Sequence, residues 1–169
     1  MIGQIRSCYR LGNEHILTQD IEYAVNQLVE MAVRAMSAAI NDPYTAVTCL
    51  DHLGAGLAVY AEGTSPDPHL YDSENRLRVI FDPLAFSGLL DGAFNMIRHA
   101  SRDNADVLLR LLDAIERVAT RSSTADQRAE LLRQVRLVEA ESQAGSSIAW
   151  DQERVGRRCA DLAAKLSDG

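Results

Sequence analysis

The sequence predicts an all-α fold, a single-domain bundle of about six helices with a short β-hairpin-like insert. Three observations carry that reading. Apolar residues recur at helical spacing over most of the 169 residues. The breaks between these runs carry helix-start chemistry, as in Asp42-Pro43, Asp82-Pro83 and Thr124 followed by Gln127. Only residues 62–82 interrupt the helical pattern for any length, with Gly63, Ser65, Pro66 and Pro68 clustered at their start.

Residues 1–19 read as an extended lead-in, because Ile5, Tyr9 and Leu11 alternate loosely with Arg6 and Arg10 over residues 2–11. Thr18 or Asp20 then caps a first helix expected at about 20–40. Val25, Leu28, Ala32, Ala35 and Ala39 form its apolar row, with Val29, Val33, Met36 and Ile40 alongside. So wide an apolar face predicts a central helix. Asn26, Glu30, Arg34 and Ser37 fill the remaining stripe, and Glu30 to Arg34 has the carboxylate-first spacing of an i,i+4 ion pair.

At Asn41-Asp42-Pro43 one helix is expected to stop and the next to start with almost no loop. Asp42 offers its side chain to the first free amides and Pro43 sits where an N–H is not needed. The second helix, about 43–61, turns Ala46 or Val47, Leu50, Leu53, Leu57 and Tyr60 inward. Gly54 and Gly56 fit either a close neighbour or a bent helix. In the insert, His69-Leu-Tyr and Arg76–Phe81 read as two extended pieces around Asp72-Ser-Glu-Asn75. A lone hairpin is marginal in water, so it should pack on the helices or pair with residues 2–11.

A third helix is expected from Pro83 to about 101, capped by Asp82 and stapled by Phe81 and Phe86. Gly88 and Gly92, one turn apart, suggest close packing against another helix. Asp103 or Asn104 caps a fourth helix, in which Leu108, Leu111, Leu112, Ile115 and Val118 form a clean stripe. Thr124 and Gln127 resemble a capping box opening a fifth, with Leu131, Leu132, Val135 and Val138 inward and a charged, solvated face. The last helix follows Gly145-Ser146-Ser147 and uses Ile148, Val155, Cys159, Leu162 and Leu166.

Composition narrows the function classes. With 24 acidic and 17 basic residues the formal charge is −7, which repels phosphate backbones, so no nucleic-acid partner is expected. Cys8, Cys49 and Cys159 are odd in number and far apart, which fits a reducing compartment and gives neither a disulfide framework nor a zinc site. No run of about 18 apolar residues exists to span a bilayer. The chain as given therefore reads as cytoplasmic. His15, His52, His69 and His99 form no close metal pair, and no phosphate loop, nucleophile elbow or dinucleotide fingerprint occurs, so no cofactor or metal is expected. Asp51-His52 is expected to be solvent-exposed and Cys49 to be a small core residue.

The run Ala35-Met-Ser-Ala-Ala-Ile-Asn-Asp-Pro-Tyr-Thr-Ala46 resembles the Ala-Leu-Ser-Pro-Gly-Ile-Asn-Asp-Pro-x-Thr-Ala hallmark of bacterial predicted membrane proteins, DUF2254. Gln19-Asp20, residues 27–32, residues 48–53, Arg76-Leu-Arg78 and Ile97-Arg98 extend the similarity over most of residues 10–120. The resemblance implies the soluble C-terminal part of such a protein, working beside transmembrane segments of the same or a neighbouring protein. It implies no known reaction. Ser37-Ala38-Ala39 replaces Ser-Pro-Gly, so the first helix is expected to run straight to the corner, and His15-Ile16 stands where an Arg-Thr pair belongs.

Three functional readings follow. One is a non-enzymatic regulatory or interaction module. Another is an enzyme or small-ligand or anion-binding domain at the Asn41-Asp42-Pro43 corner, and the third is a homo-oligomerising scaffold. The site candidates are Glu30, Arg34, Asn41, Asp42, Thr45 and Arg98, since a corner with exposed helix amides receives anions.

Overall fold

The computed structural model describes residues 20–63 and 67–167. Six helices form the bundle: α1 (Ile21–Ala35), α2 (Pro43–Glu62), α3 (Phe86–Ala100), α4 (Ala105–Ala119), α5 (Ala125–Gly145) and α6 (Ala149–Ser167). Strands β1 (His69–Tyr71) and β2 (Leu77–Ile80) pair antiparallel between α2 and α3 in sequence. The expected strand at residues 2–11, the Thr18 alternative and the His15-Ile16 pair lie outside the described residues.

The helix through the middle is α4, not α1. It touches α2, α3, α5 and α6, whereas α1 packs on α2 and α3. Stripe geometry explains the difference. Leu108, Leu111, Leu112, Ile115 and Val118 are all buried on α4, together with Ala105, Val107 and Ala114, so it faces neighbours on several sides. On α1 only Val25, Val29, Ala32 and Ala35 are buried, and Met31 stays 47% exposed.

Nor does α1 reach residue 40. It stops at Ala35, and a turn closes behind it in which Asn41 N–H donates to Ser37 O and Asp42 N–H to Ala35 O. Ala39 and Ile40 are exposed in consequence. Asn41 takes a left-handed backbone, φ 49°, a conformation asparagine tolerates better than most residues. Backbone bonds thus end the helix where Ser37-Ala38-Ala39 has neither proline nor glycine. Beyond the turn Asp42 caps α2 through Thr45 N–H, as its sequence predicts, and Pro43 opens the helix.

The start of α3 is a second correction. It begins at Phe86, with Ala85 at the N-cap making no side-chain bond, so Asp82-Pro83 neither caps nor opens it. Phe81 N–H remains tied to Pro68 O at 3.0 Å, and the Tyr60 hydroxyl donates to Leu84 O at 2.7 Å. These two anchors hold residues 81–84 outside the helix. Elsewhere the caps match the sequence: Asp20 accepts from Tyr23 N–H, Asn104 from Val107 N–H, and Thr124 and Gln127 form the reciprocal box.

The glycines behave differently from one another. A Cβ on Gly54 would lie 2.9 Å from Ala114 Cβ, so α2 and α4 meet at van der Waals limit there, while Gly56 faces open space. Gly88 and Gly92 also face open space, contrary to the expected close packing. Gly145 is pressed against the α3–α4 turn, with Arg102 O only 2.5 Å from where a Cβ would stand. Ile148, expected in the core, is exposed before α6 begins. The hairpin forms around a well-clipped turn and makes no extended contact with any described helix; the alternative expectation, pairing with residues 2–11, lies outside the described residues.

Candidate functional site

Two chain corners, α1–α2 and α3–α4, meet over a cleft of about 540 Å³ lined by Met36, Ala38, Asn41, His99, Ala100, Arg102, Asp103 and Asn104. Its lining is mainly polar. A second cleft, about 610 Å³, opens where α2 ends and α5 begins, beside Glu62, Phe86, Thr124, Gln127 and Glu130. There several of the polar groups are already committed, Gln127 to the capping box and Ala61 O, Glu62 to Arg121, and Glu130 to Arg133. The corner cleft is the better candidate because its cation Arg102 makes no ion pair among the described residues, although most of the described arginines do.

Behind the cleft runs a polar chain between α3 and α5. Asp91 accepts from Arg133 Nη2 at 2.8 Å and from Gln134 Nε2 at 2.7 Å. Gln134 Oε1 in turn accepts from Arg98 Nη1 at 3.3 Å, and Asn95 Oδ1 accepts from the same nitrogen at 2.8 Å. Arg98 Nε stands 3.5 Å from Glu141 Oε2, and Glu141 Oε1 is 2.8 Å from His99 Nδ1. Arg98, Gln134 and Glu141 are withdrawn from solvent while His99 is exposed at the surface end. Burial of a guanidinium is costly unless it is paired and hydrogen-bonded; Glu141 supplies the charge and Asn95 and Gln134 accept from Nη1, while Nε makes no hydrogen bond.

The structure separates the six site residues anticipated from the sequence. Glu30 and Arg34 form their ion pair on the exposed face of α1. Asp42 and Thr45 are occupied with each other: Thr45 N–H donates to one carboxylate oxygen and its hydroxyl to the other, at 2.5 Å. Those bonds, the hydroxyl foremost, hold the Asp42 carboxyl below the ordinary carboxylate range. Asn41 lines the cleft, and Arg98 lies behind it next to His99.

Sequence reading overlooked Asp91, Asn95, His99, Arg102, Gln134 and Glu141. Asp91, Asn95 and Arg98 do recur at i, i+4, i+7 on an otherwise apolar face, a signal visible in the sequence. Glu141 was assigned to a solvated face, yet its side chain is largely buried. Asp51 likewise is half-buried, 2.7 Å from Arg110 Nη2, while its neighbour His52 is exposed. Cys49 and Cys159 are core residues, and burial pushes both thiols up, Cys159 to about 12. Thiols so protonated are poor nucleophiles.

Fold and site define a helical domain with a polar surface cleft, in which no group of three or more His, Cys, Asp or Glu able to hold a metal occurs among the described residues. No helix among them is long and apolar enough to cross a membrane. The chain belongs to the family described as Predicted membrane protein, DUF2254, which matches residues 1–117. It is 34% identical over 129 residues to Uncharacterized protein Mb1321c of Mycobacterium bovis and, to the same extent, to Uncharacterized protein Rv1290c of Mycobacterium tuberculosis. The match covers 76% of this chain and 25% of each relative, so the chain spans about a quarter of their length. No solved structure matches it. All residues lining the corner cleft fall inside the family match, whereas Gln134 and Glu141 fall outside it.

Proposed function

We propose that this chain is a non-enzymatic regulatory or interaction module whose partner is a membrane-spanning segment of the same or a neighbouring protein. The observation that carries the reading is the outer face of α2. Tyr44 is 83% exposed and Val59 72%, and Thr48, His52, Ala55 and Gly56 lie exposed between them. Asp51, the one charged residue between Pro43 and Ala61, is turned aside to Arg110. A helix face left without charge over four turns, in a chain with charged outer faces on α5 and α6, suits a surface that is covered in use. Membership in a family of predicted membrane proteins supports a membrane-spanning partner.

A photo-crosslinking residue at Val59 tests this, with one at Arg136 on α5 as control. The expected result is an adduct with an integral membrane protein from Val59 only. Equal labelling from both positions, or adducts confined to the soluble fraction, refutes it. A second reading, a small-ligand or anion-binding domain at the Asn41 corner, is favoured by the cleft joining Asn41 to His99 and Arg102.

A further inference from the structure

We propose that the cleft between the α1–α2 and α3–α4 corners binds a small free oxyanion, a phosphate or carboxylate, with Arg102 as its cationic contact and His99 and Asn41 as hydrogen-bonding ones. The inference deepens the second reading above and rests on it, and it is independent of the membrane-partner reading.

Charge accounting within the cleft points to this class of ligand. The chain is acidic overall, at −7, and most of the described arginines are neutralised by a nearby carboxylate. Among the described residues Arg102 faces the cleft without such a partner. His99 faces it too, and its Nδ1 is held by Glu141 at 2.8 Å, which leaves Nε2 to accept from a hydroxyl of the ligand, such as the one hydrogen phosphate carries. Glu141 adds little negative charge to the cleft because Arg98 lies against its other oxygen at 3.5 Å. Asp103 is the one acid among the described residues of the lining.

Positioning is built in as well. The ring of an exposed histidine normally samples several rotamers. Here a carboxylate that is itself clamped between α3 and α5 fixes it, and the clamp continues through Arg98 and Gln134 to Asp91. On the opposite wall Asn41 is held in its left-handed conformation by the bonds of the turn, Asn41 N–H to Ser37 O and Asp42 N–H to Ala35 O. A fixed imidazole, a guanidinium without an ion pair among the described residues and an amide around about 540 Å³ form a preorganised polar set for an oxyanion. Glu141 and Arg98 are positioning residues in this arrangement and do not touch the ligand.

The test is a calorimetric titration of the whole chain with inorganic phosphate and, separately, citrate, at neutral pH and fixed ionic strength. Saturable binding at one site per chain is expected, weakened at least tenfold by Arg102→Ala and by His99→Gln, and unchanged by Arg157→Ala, an exposed α6 residue outside the cleft lining. Arg102 and His99 are exposed, so these variants are expected to fold, which circular dichroism verifies. Glu141→Gln is read through the His99 ring signals in nuclear magnetic resonance, where loss of the fixed tautomer accompanies weaker binding. No saturation by either anion, or equal loss with Arg157→Ala, overturns the proposal. Flotation with vesicles of phosphatidylcholine, with and without phosphatidylglycerol, separates the source of the anion. Flotation that depends on Arg102 without a phosphate titration overturns the free-anion assignment in favour of a lipid headgroup. If the Val59 adduct forms and the titrations fail, the cleft reading alone falls.

Discussion

Adding one methyl group to Gly54 and one to Gly56 is expected to move stability in opposite directions. Both residues lie inside α2, where replacing glycine with alanine gains about 0.5–1 kcal/mol from reduced backbone entropy loss. At Gly56 nothing lies within 4 Å of the new Cβ, so that gain stands. At Gly54 the Cβ would sit 2.9 Å from Ala114 Cβ and 3.0 Å from Ala114 Cα. Neither atom belongs to a flexible side chain, so relief requires moving α2 away from α4, the central helix. Overpacking of that kind costs about 1–3 kcal/mol, which outweighs the propensity gain. The net expectation is a loss of about 1–2 kcal/mol for Gly54→Ala. For a chain of this size that corresponds to a midpoint lowered by roughly 2–8 °C, against a rise of roughly 1–4 °C for Gly56→Ala. Urea unfolding with unchanged m-values, checked by calorimetry, measures both. A double-mutant cycle with Ala114→Gly should show the two sites coupled by roughly 1 kcal/mol, because that change removes the nearest of the clashing atoms. If Gly54→Ala stabilises as much as Gly56→Ala, or if the cycle shows no coupling, the α2–α4 contact is not as close as described.

Four further outcomes are expected. Asp42→Ala should lower the melting midpoint through loss of the α2 cap, and Asp42→Asn should lower it less; because its carboxyl is depressed, the wild-type contribution is full above the ordinary value of 3.8 and fades as pH falls below it, so a difference that persists undiminished in strong acid contradicts the cap. Asp72, lowered to about 2 chiefly by the Arg76 backbone N–H and further by Arg78, Glu74 and the Arg76 side chain, should keep the hairpin turn clipped down to about that pH, with the Arg76 and Glu74 amide resonances moving only on further acidification. Arg98→Met should cost roughly 3 kcal/mol in chemical denaturation because it leaves Glu141 and Gln134 without their shared partner, and a neutral result contradicts the buried chain. In a Cys8→Ser background, Cys49 and Cys159 should resist a thiol reagent at pH 8 until denaturant is added, and rapid labelling of either would contradict its burial.

Local chemistry was read well from the sequence because it acts over a few residues. The Asp42-Pro43 start of α2, the Thr124–Gln127 box and the hairpin around Asp72 each depend on groups three or four positions apart, and all are present. Asp82-Pro83 has the same local signature and fails, since Tyr60, 24 residues away in sequence, takes Leu84 O first. The candidate site was half legible. Asn41 stood out as part of the corner, while His99 and Arg102 did not, because nothing in a linear pattern says which two turns of a bundle will face each other.

By itself the sequence determined that the described residues form a bundle of six helices with one hairpin, since periodicity and caps are properties of neighbouring residues. Only the tertiary structure decided which helix is central, which glycine is crowded and which arginine is buried. A wide apolar face on α1 looked like the mark of a middle helix, yet the middle belongs to α4, which has neighbours on several sides. Centrality is a relation among helices, set by how their stripes pack together, and one stripe does not contain it.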